Sequence, residues 1–201
     1  MENIKLYSIF ERFWHWSQTA LIVVLGLTGF EIHDSFTLFG YETAVRLHNS
    51  SAWAFCILLS FAIFWLFVSG QWKNFVPTTE KLKEQFLFYI SGIFKNEPHP
   101  THKSLFNKLN PIQRVVYMGL IVMIFPLQIL SGFVYMYYNY AGEIISISGL
   151  ELTAVLHTAS AFLLVAFLIV HLYLITTGET VSSNLKGMVT GYEEVEKEEV
   201  K

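Results

Sequence analysis

The chain has 201 residues, 53% hydrophobic, 16% aromatic and only 14% charged, with a net charge of −3. That excess of apolar residues over charge excludes an ordinary soluble domain and points to an integral membrane protein, for which no nucleic-acid partner is expected. One cysteine, Cys56, excludes an internal disulfide.

About 20 apolar residues are enough to cross the hydrocarbon core as a helix. Four windows qualify, at residues 13–32, 49–70, 115–138 and 152–176. The last three contain no Asp, Glu, Lys or Arg, and the first holds only Glu31. Unpaired backbone groups cannot persist in lipid, so each window is expected to be helical. The short alternating segments of a β-barrel are absent from the sequence. The expectation is an all-α integral membrane protein, a single domain built as a four-transmembrane-helix bundle. Its helices fall at about 9–33, 42–71, 112–138 and 149–176, with a loop at 72–111 and a tail at 177–201.

In chain order, MENIKLYSIFERFWHW has no apolar region ending in a small-residue cleavage site, so the first helix is expected to be retained. Ser8-Ile-Phe-Glu11 and Ser148-Gly-Leu-Glu151 both fit a capping box and predict helix starts. Pro126 falls inside the third helix and predicts a kink. LTGF (27–30) and LSGF (130–133) recur in the first and third helices, where small residues permit close helix contact or leave room for something flat. The tail has short helical potential and an acidic end that could contact a partner, and is expected rather to be a solvated terminus.

Lys and Arg are distributed unevenly. Twelve of the thirteen lie in the N-terminal segment, the 72–111 loop with the start of the third helix, and the tail; Arg46 alone lies elsewhere. The positive-inside rule therefore places both termini in the cytoplasm. Asp34, Glu42 and Glu143, with Glu31 and Glu151 at helix ends, make the opposite face acidic, a surface that could dock a partner or simply be solvated.

Of seven histidines, His99 and His102 lie in the hydrophilic EPHPTHKS and are expected to be exposed, and His33 lies at a helix exit. His15, His48, His157 and His171 lie in or beside apolar helices, where an ionisable residue is usually functional and partnered. Fourteen residues separate His157 from His171. In a helix they point within about 40° of one another and stand about 21 Å apart, too far for one metal ion. By topology His15 is level with His171 near the inner side, and His48 with His157 near the outer side. Paired imidazoles on facing helices suit bis-histidine ligation of haem iron. Zinc would want four ligands and usually sulfur, no HExxH is present, and no CxxCH offers covalent haem attachment. His33 is the rival to His48 as outer ligand; His48 lies deeper, about two turns into a helix beginning near Tyr41.

On ERFWHW (11–16), RLHNSSAW (46–53), NPIQR (110–114) and HTASAFLLVAFLIVHLYL (157–174), the chain resembles a known family over nearly its whole length. These are the di-haem cytochrome b subunits that anchor bacterial nickel–iron hydrogenases, formate dehydrogenase-N and thiosulfate-reductase-type enzymes. The resemblance implies two haem b groups, with His15, His48, His157 and His171 as axial ligands. It also implies a menaquinone or ubiquinone site beside the inner haem, matched here by Asn110 and Gln113. Pro111 and Arg114 depart from that pattern, Arg114 adding a cation that could bind a propionate or a lipid headgroup. Arg12 and Arg46 sit beside ligand histidines and read either as propionate partners or as interfacial anchors.

The resulting expectation is an electron-transferring, quinone-reactive subunit of a larger complex in the bacterial cytoplasmic (inner) membrane rather than a stand-alone enzyme. Its partner would be a periplasmic iron–sulfur or multihaem cytochrome subunit of an oxidoreductase. The competing class is a cofactor-free membrane anchor, or a small transporter whose histidines bind a metal or relay protons. Neither broken helices nor repeated halves, which a transporter would carry, are evident beyond the short GF match.

Overall fold

The computed structural model describes residues 2–95, 97–101, 104, 107–141, 146–178 and 180–195. Strand β1 (Glu2–Lys5) is followed by helices α1 (Ile9–Ile32), α2 (Tyr41–Ser69), α3 (Leu82–Leu87), α4 (Pro111–Gly119), α5 (Phe125–Ala141), α6 (Ile147–Ile175) and α7 (Ser183–Thr190), then strand β2 (Tyr192–Val195).

Three helices among the described residues are long and apolar enough to cross a membrane: Tyr41–Ser69, Pro111–Tyr138 and Ile147–Ile175. Their most apolar windows bury only 17%, 17% and 6% of their residues within the protein. Side chains such as Phe64, Phe67, Val122 and Ile169 are therefore left outward, which in water would be a severe cost and in lipid is none. α1 is 24 residues long but does not reach this standard, its early turns being diluted by His15, Ser17, Gln18 and Thr19.

The helix starts follow from local chemistry. Ser8 Oγ accepts from the Glu11 N–H at 3.2 Å and Glu11 Oε2 accepts from the Ser8 N–H at 2.7 Å, closing the box read from the sequence. At α6 the cap is displaced: Ser146 Oγ accepts from the Gly149 N–H at 3.2 Å, so Ser148 lies inside the first turn instead of capping it. α4 and α5 run on through a π-helical stretch, Leu120–Ile124. The irregularity expected at Pro126 takes this form because proline has no N–H to give the ladder, and a wider turn just before it absorbs the loss.

The chain divides into two compact units. The first comprises Met1–Arg12, Leu66–Ile121 and Val170–Lys201. In it β1 and β2 pair antiparallel, with Ile4 opposite Glu193 and Lys5 opposite Tyr192. The Leu6 and Tyr7 N–H groups both donate to the Gly191 carbonyl at 2.8 and 3.1 Å, and Arg12 Nη1 donates to the Val189 carbonyl at 2.6 Å. Gly191 supplies the positive φ of 89° that ends α7 and turns the chain into β2. The tail to residue 195 is thus folded back on the N-terminal segment, correcting the expectation of a solvated terminus; strand pairing so far apart in sequence leaves no local signal. Burial raises the Tyr7 phenol well above its usual range. Lys108 Nζ reaches Glu11 Oε1 at 2.7 Å, joining the loop to the start of α1.

The 72–111 loop has structure of its own. Gln85 is fully buried and its side-chain Oε1 accepts from Thr101 Oγ1 at 2.7 Å. His99 Nδ1 lies 2.6 Å from the Thr101 carbonyl, and its ring packs on Phe88 at 4.7 Å. His99 is therefore half-buried, not exposed, because the aromatic side of this loop folds over it. His102 lies outside the described residues, as does Glu143.

The second unit comprises Phe13–Trp65 and Val122–Ile169. Aromatic edges knit its helices: Phe30 of α1 to Phe162 of α6 at 5.6 Å, and Trp53 and Phe55 of α2 to Phe133 and Phe125 of α5 at 5.1 and 5.4 Å. Glu31 is 5% exposed, and its Oε1 accepts from the Leu38, Phe39 and Gly40 N–H groups, each at 2.8 Å. This carboxylate closes the α1–α2 connection instead of contributing to an acidic docking face, because three amides compensate its burial.

Candidate functional site

In the second unit His48 of α2 and His157 of α6 face each other, with ring centroids 6.4 Å apart and planes at 65°. Each ring rests against a glycine of a neighbouring helix. A Cβ on Gly29 would meet His48 Cε1 at 3.4 Å, and one on Gly132 would meet His157 Cε1 at 3.3 Å. The residue before each glycine places a hydroxyl on the same histidine. Thr28 Oγ1 lies 3.0 Å from His48 Nδ1, and Ser131 Oγ lies 2.9 Å from His157 Nδ1. Thr28 and Ser131 are 0% and 6% exposed, so these contacts are sheltered from competing water.

His157 has further neighbours. The Gln128 amide nitrogen lies 3.1 Å from its Nε2, Gln128 in turn accepts from Ser160 Oγ, and the Tyr135 ring stands 5.9 Å away. None of Thr28, Ser131, Gln128, Ser160 or Tyr135 was singled out by sequence reasoning. The signal for the first two was present in the LTGF and LSGF recurrence.

The spacing fits a shared metal. Two imidazoles binding one ion from opposite sides at about 2 Å place their centroids about 6 Å apart. Among the described residues no three His, Cys, Asp or Glu side chains gather as a metal site, so this donor set is a pair. A planar ligand whose ring supplies the other four donors is what such a pair completes.

The other sequence-derived residues are placed as follows. His15 of α1 is half-buried, edge-on to Trp16 at 5.1 Å, and its carbonyl accepts from Thr19 Oγ1 at 2.8 Å. His171 of α6 is half-buried in the first unit. His33 is exposed just beyond α1, and Arg46 is exposed on α2 two residues before His48. Arg12 is held by the Val189 carbonyl. Arg114 donates to the Leu109 and Val76 carbonyls and, at 2.6 Å, to Asn107 Oδ1, which ties down the loop.

Asn110 and Gln113 form a capping box at the start of α4. Asn110 Oδ1 accepts from the Gln113 N–H at 2.9 Å, and Gln113 Oε1 accepts from the Asn110 N–H at 3.0 Å. Pro111 occupies N1, where its missing N–H costs nothing. Asn110 Nδ2 also donates to the Tyr89 hydroxyl at 2.8 Å, and burial raises that phenol's pKa. Asn110→Ala, which loses both the cap and the bond to Tyr89, is therefore expected to cost about 2 kcal/mol of stability, whereas Asn110→Ser keeps a good cap and loses only the bond to Tyr89, at about 1 kcal/mol. Denaturant midpoints of the two variants check this.

A family model described as prokaryotic cytochrome b561 matches residues 6–191. The chain belongs to the prokaryotic cytochrome b561 family. A relative from Escherichia coli (strain K12), "Putative cytochrome YdhU", is 31% identical over 201 residues, covering 95% of this chain and 75% of that protein. No solved structure matches the chain. Membership makes the protein a haem b-binding membrane cytochrome of the electron-transfer class, in keeping with its resemblance to the cytochrome b subunits of hydrogenases. The paired imidazoles and their glycine cradles are residues of the kind a cytochrome b561 needs to hold such a group.

Proposed function

We propose that this cytochrome b561 crosses the membrane four times, holds two haem b groups and passes electrons between a periplasmic partner subunit and the membrane quinone pool. The observation that carries the di-haem reading is the facing of His48 and His157 at 6.4 Å, at the positions that sequence depth had paired. The second haem is assigned to His15 and His171 on the sequence alone, which pairs them by depth, with the fourteen-residue register of His157 and His171 on one unbroken helix in support.

Four crossings are supported by the antiparallel pairing of β1 with β2, which keeps the two chain ends on one side. Three crossings would separate them, which favours α1 as the fourth. Its polar early turns are those that carry His15, and a half-buried ligand accounts for their lower hydropathy. The lysine and arginine asymmetry supports a cytoplasmic location for that side.

Haem, when bound, supplies one-electron chemistry between its ferric and ferrous states. The protein supplies imidazole donors, an apolar surround and orientation. Menaquinone or ubiquinone is taken on the cytoplasmic side near Asn110 and Gln113. Arg12 and Arg46 remain candidate partners for haem propionates. The partner is an iron–sulfur or multihaem cytochrome subunit of hydrogenase, formate dehydrogenase or sulfur-compound reductase type. Lipid covers the outward apolar faces.

Membranes containing the protein, reduced with dithionite, should show a b-type spectrum that is reoxidised by a water-soluble quinone analogue. Asn110→Ser should slow that reoxidation while keeping the cap that starts α4. A spectrum indifferent to quinone would overturn the quinone assignment, and equal rates in wild type and Asn110→Ser would remove Asn110 from it.

A further inference from the structure

We propose that Thr28 and Ser131 are positioning residues that fix both outer histidines as Nδ1–H tautomers and thereby set the reduction potential of the iron they hold. This rests on the reading of His48 and His157 as one ligand pair.

The hydroxyl geometry decides the tautomer. Thr28 Oγ1 stands 2.7 Å from the Val24 carbonyl, and Ser131 Oγ stands 2.6 Å from the Leu127 carbonyl, each four residues back on its own helix. A carbonyl can only accept, so each hydroxyl hydrogen is committed to it. What remains toward the histidine is an oxygen lone pair, so Nδ1 at 3.0 and 2.9 Å must be the N–H donor. A neutral imidazole protonated at Nδ1 has its lone pair on Nε2, the form needed by a metal bound at Nε2.

The device occurs twice with the same parts. LTGF on α1 serves the histidine of α2, and LSGF on α5 serves the histidine of α6. In each, the hydroxyl holds Nδ1 and the following glycine lets the ring lie against the helix backbone. Two equivalent holders on two ligands of one iron act in the same direction. An N–H···O bond on the far nitrogen strengthens the imidazole as a donor and favours the ferric state, so removing it should raise the potential.

The experiment is a redox titration of the full-length, haem-loaded protein, with haem counted per chain, in wild type, Thr28→Val, Thr28→Ser, Ser131→Ala, Ser131→Thr and His48→Ala. Thr28→Val and Ser131→Ala should each shift one of the two haems about two- to tenfold toward ferrous, tenfold being about 59 mV for one electron. The haem that shifts should be the one lost in His48→Ala, and Thr28→Ser and Ser131→Thr should restore the wild-type potential. Loss of that haem in Thr28→Val with retention in Thr28→Ser also supports the proposal. Two haems with unmoved potentials in both hydroxyl-free variants would overturn it while leaving the ligand pair intact. Loss of haem in Thr28→Ser as severe as in Thr28→Val would reduce Thr28 to packing and overturn it as well. Retention of both haems in His48→Ala would overturn the underlying ligand reading instead.

Discussion

Replacing His157 with alanine is expected to lower the haem content from two per chain to one and to bring quinone-linked electron transfer down to background. The reason lies in the donor count. His48 and His157 are a pair with no third His, Cys, Asp or Glu among the described residues to take over. A single imidazole leaves the iron without the low-spin, bis-histidine coordination that suits electron transfer. If the proposed inner pair, His15 and His171, holds a second haem, that haem lies on other turns of α1 and α6 and should persist and be reducible by quinol while losing exchange with the outer partner. His33→Ala should keep both haems, since His33 is exposed beyond the end of α1 while His48 faces His157. Haem content and reduced-minus-oxidised spectra of the two variants check both statements. One haem in His33→Ala and two in His48→Ala would exchange their roles.

The second large effect is structural. Glu11→Ala should destabilise the protein by about 3 kcal/mol or more, because it strands a buried cation. Lys108 Nζ lies 2.7 Å from Glu11 Oε1, with side chains only 10% and 13% exposed, and 6.0 Å from the Tyr7 ring. The same carboxylate accepts from the Ser8 N–H, so its loss also removes half of the cap that starts α1, worth about 1 kcal/mol. Glu11→Gln separates the two: it can keep the box but not the charge. The double variant Glu11→Gln with Lys108→Met should recover most of the loss, since replacing both partners of a buried pair is often neutral. Chemical denaturation in detergent with a double-mutant cycle measures the coupling. Additive single effects would show that the pair contributes nothing of its own.

Local physics made part of this legible in the sequence. The apolar windows fall on α1, α2, the Pro111–Tyr138 helix and α6 to within one residue, because the gain from moving a long apolar run into lipid outweighs any local preference of its residues. The Ser8–Glu11 box closed as read because it involves only neighbours three residues apart. The α6 cap fell on Ser146 and not Ser148, two serines of equal local merit separated only by where the chain enters the helix. Asn110–Gln113 carried a capping signature that is plain in retrospect, N-P-x-Q with proline at N1.

Contacts between distant residues were harder to read. The strand pairing of residues 2–5 with 192–195 depends on tertiary closure and has no local pattern. Glu31 looked like a surface acid, and the amides of residues 38–40 that bury it sit in a loop whose path no periodicity predicts. The LTGF and LSGF likeness was visible, but not that each would hold a histidine of the next helix, since that requires knowing which helix faces meet.

The most direct test of the di-haem proposal is the haem-to-protein ratio of the purified full-length chain, measured as the pyridine haemochrome. The account predicts two haem b per chain, both reducible; a ratio of one or none would contradict it.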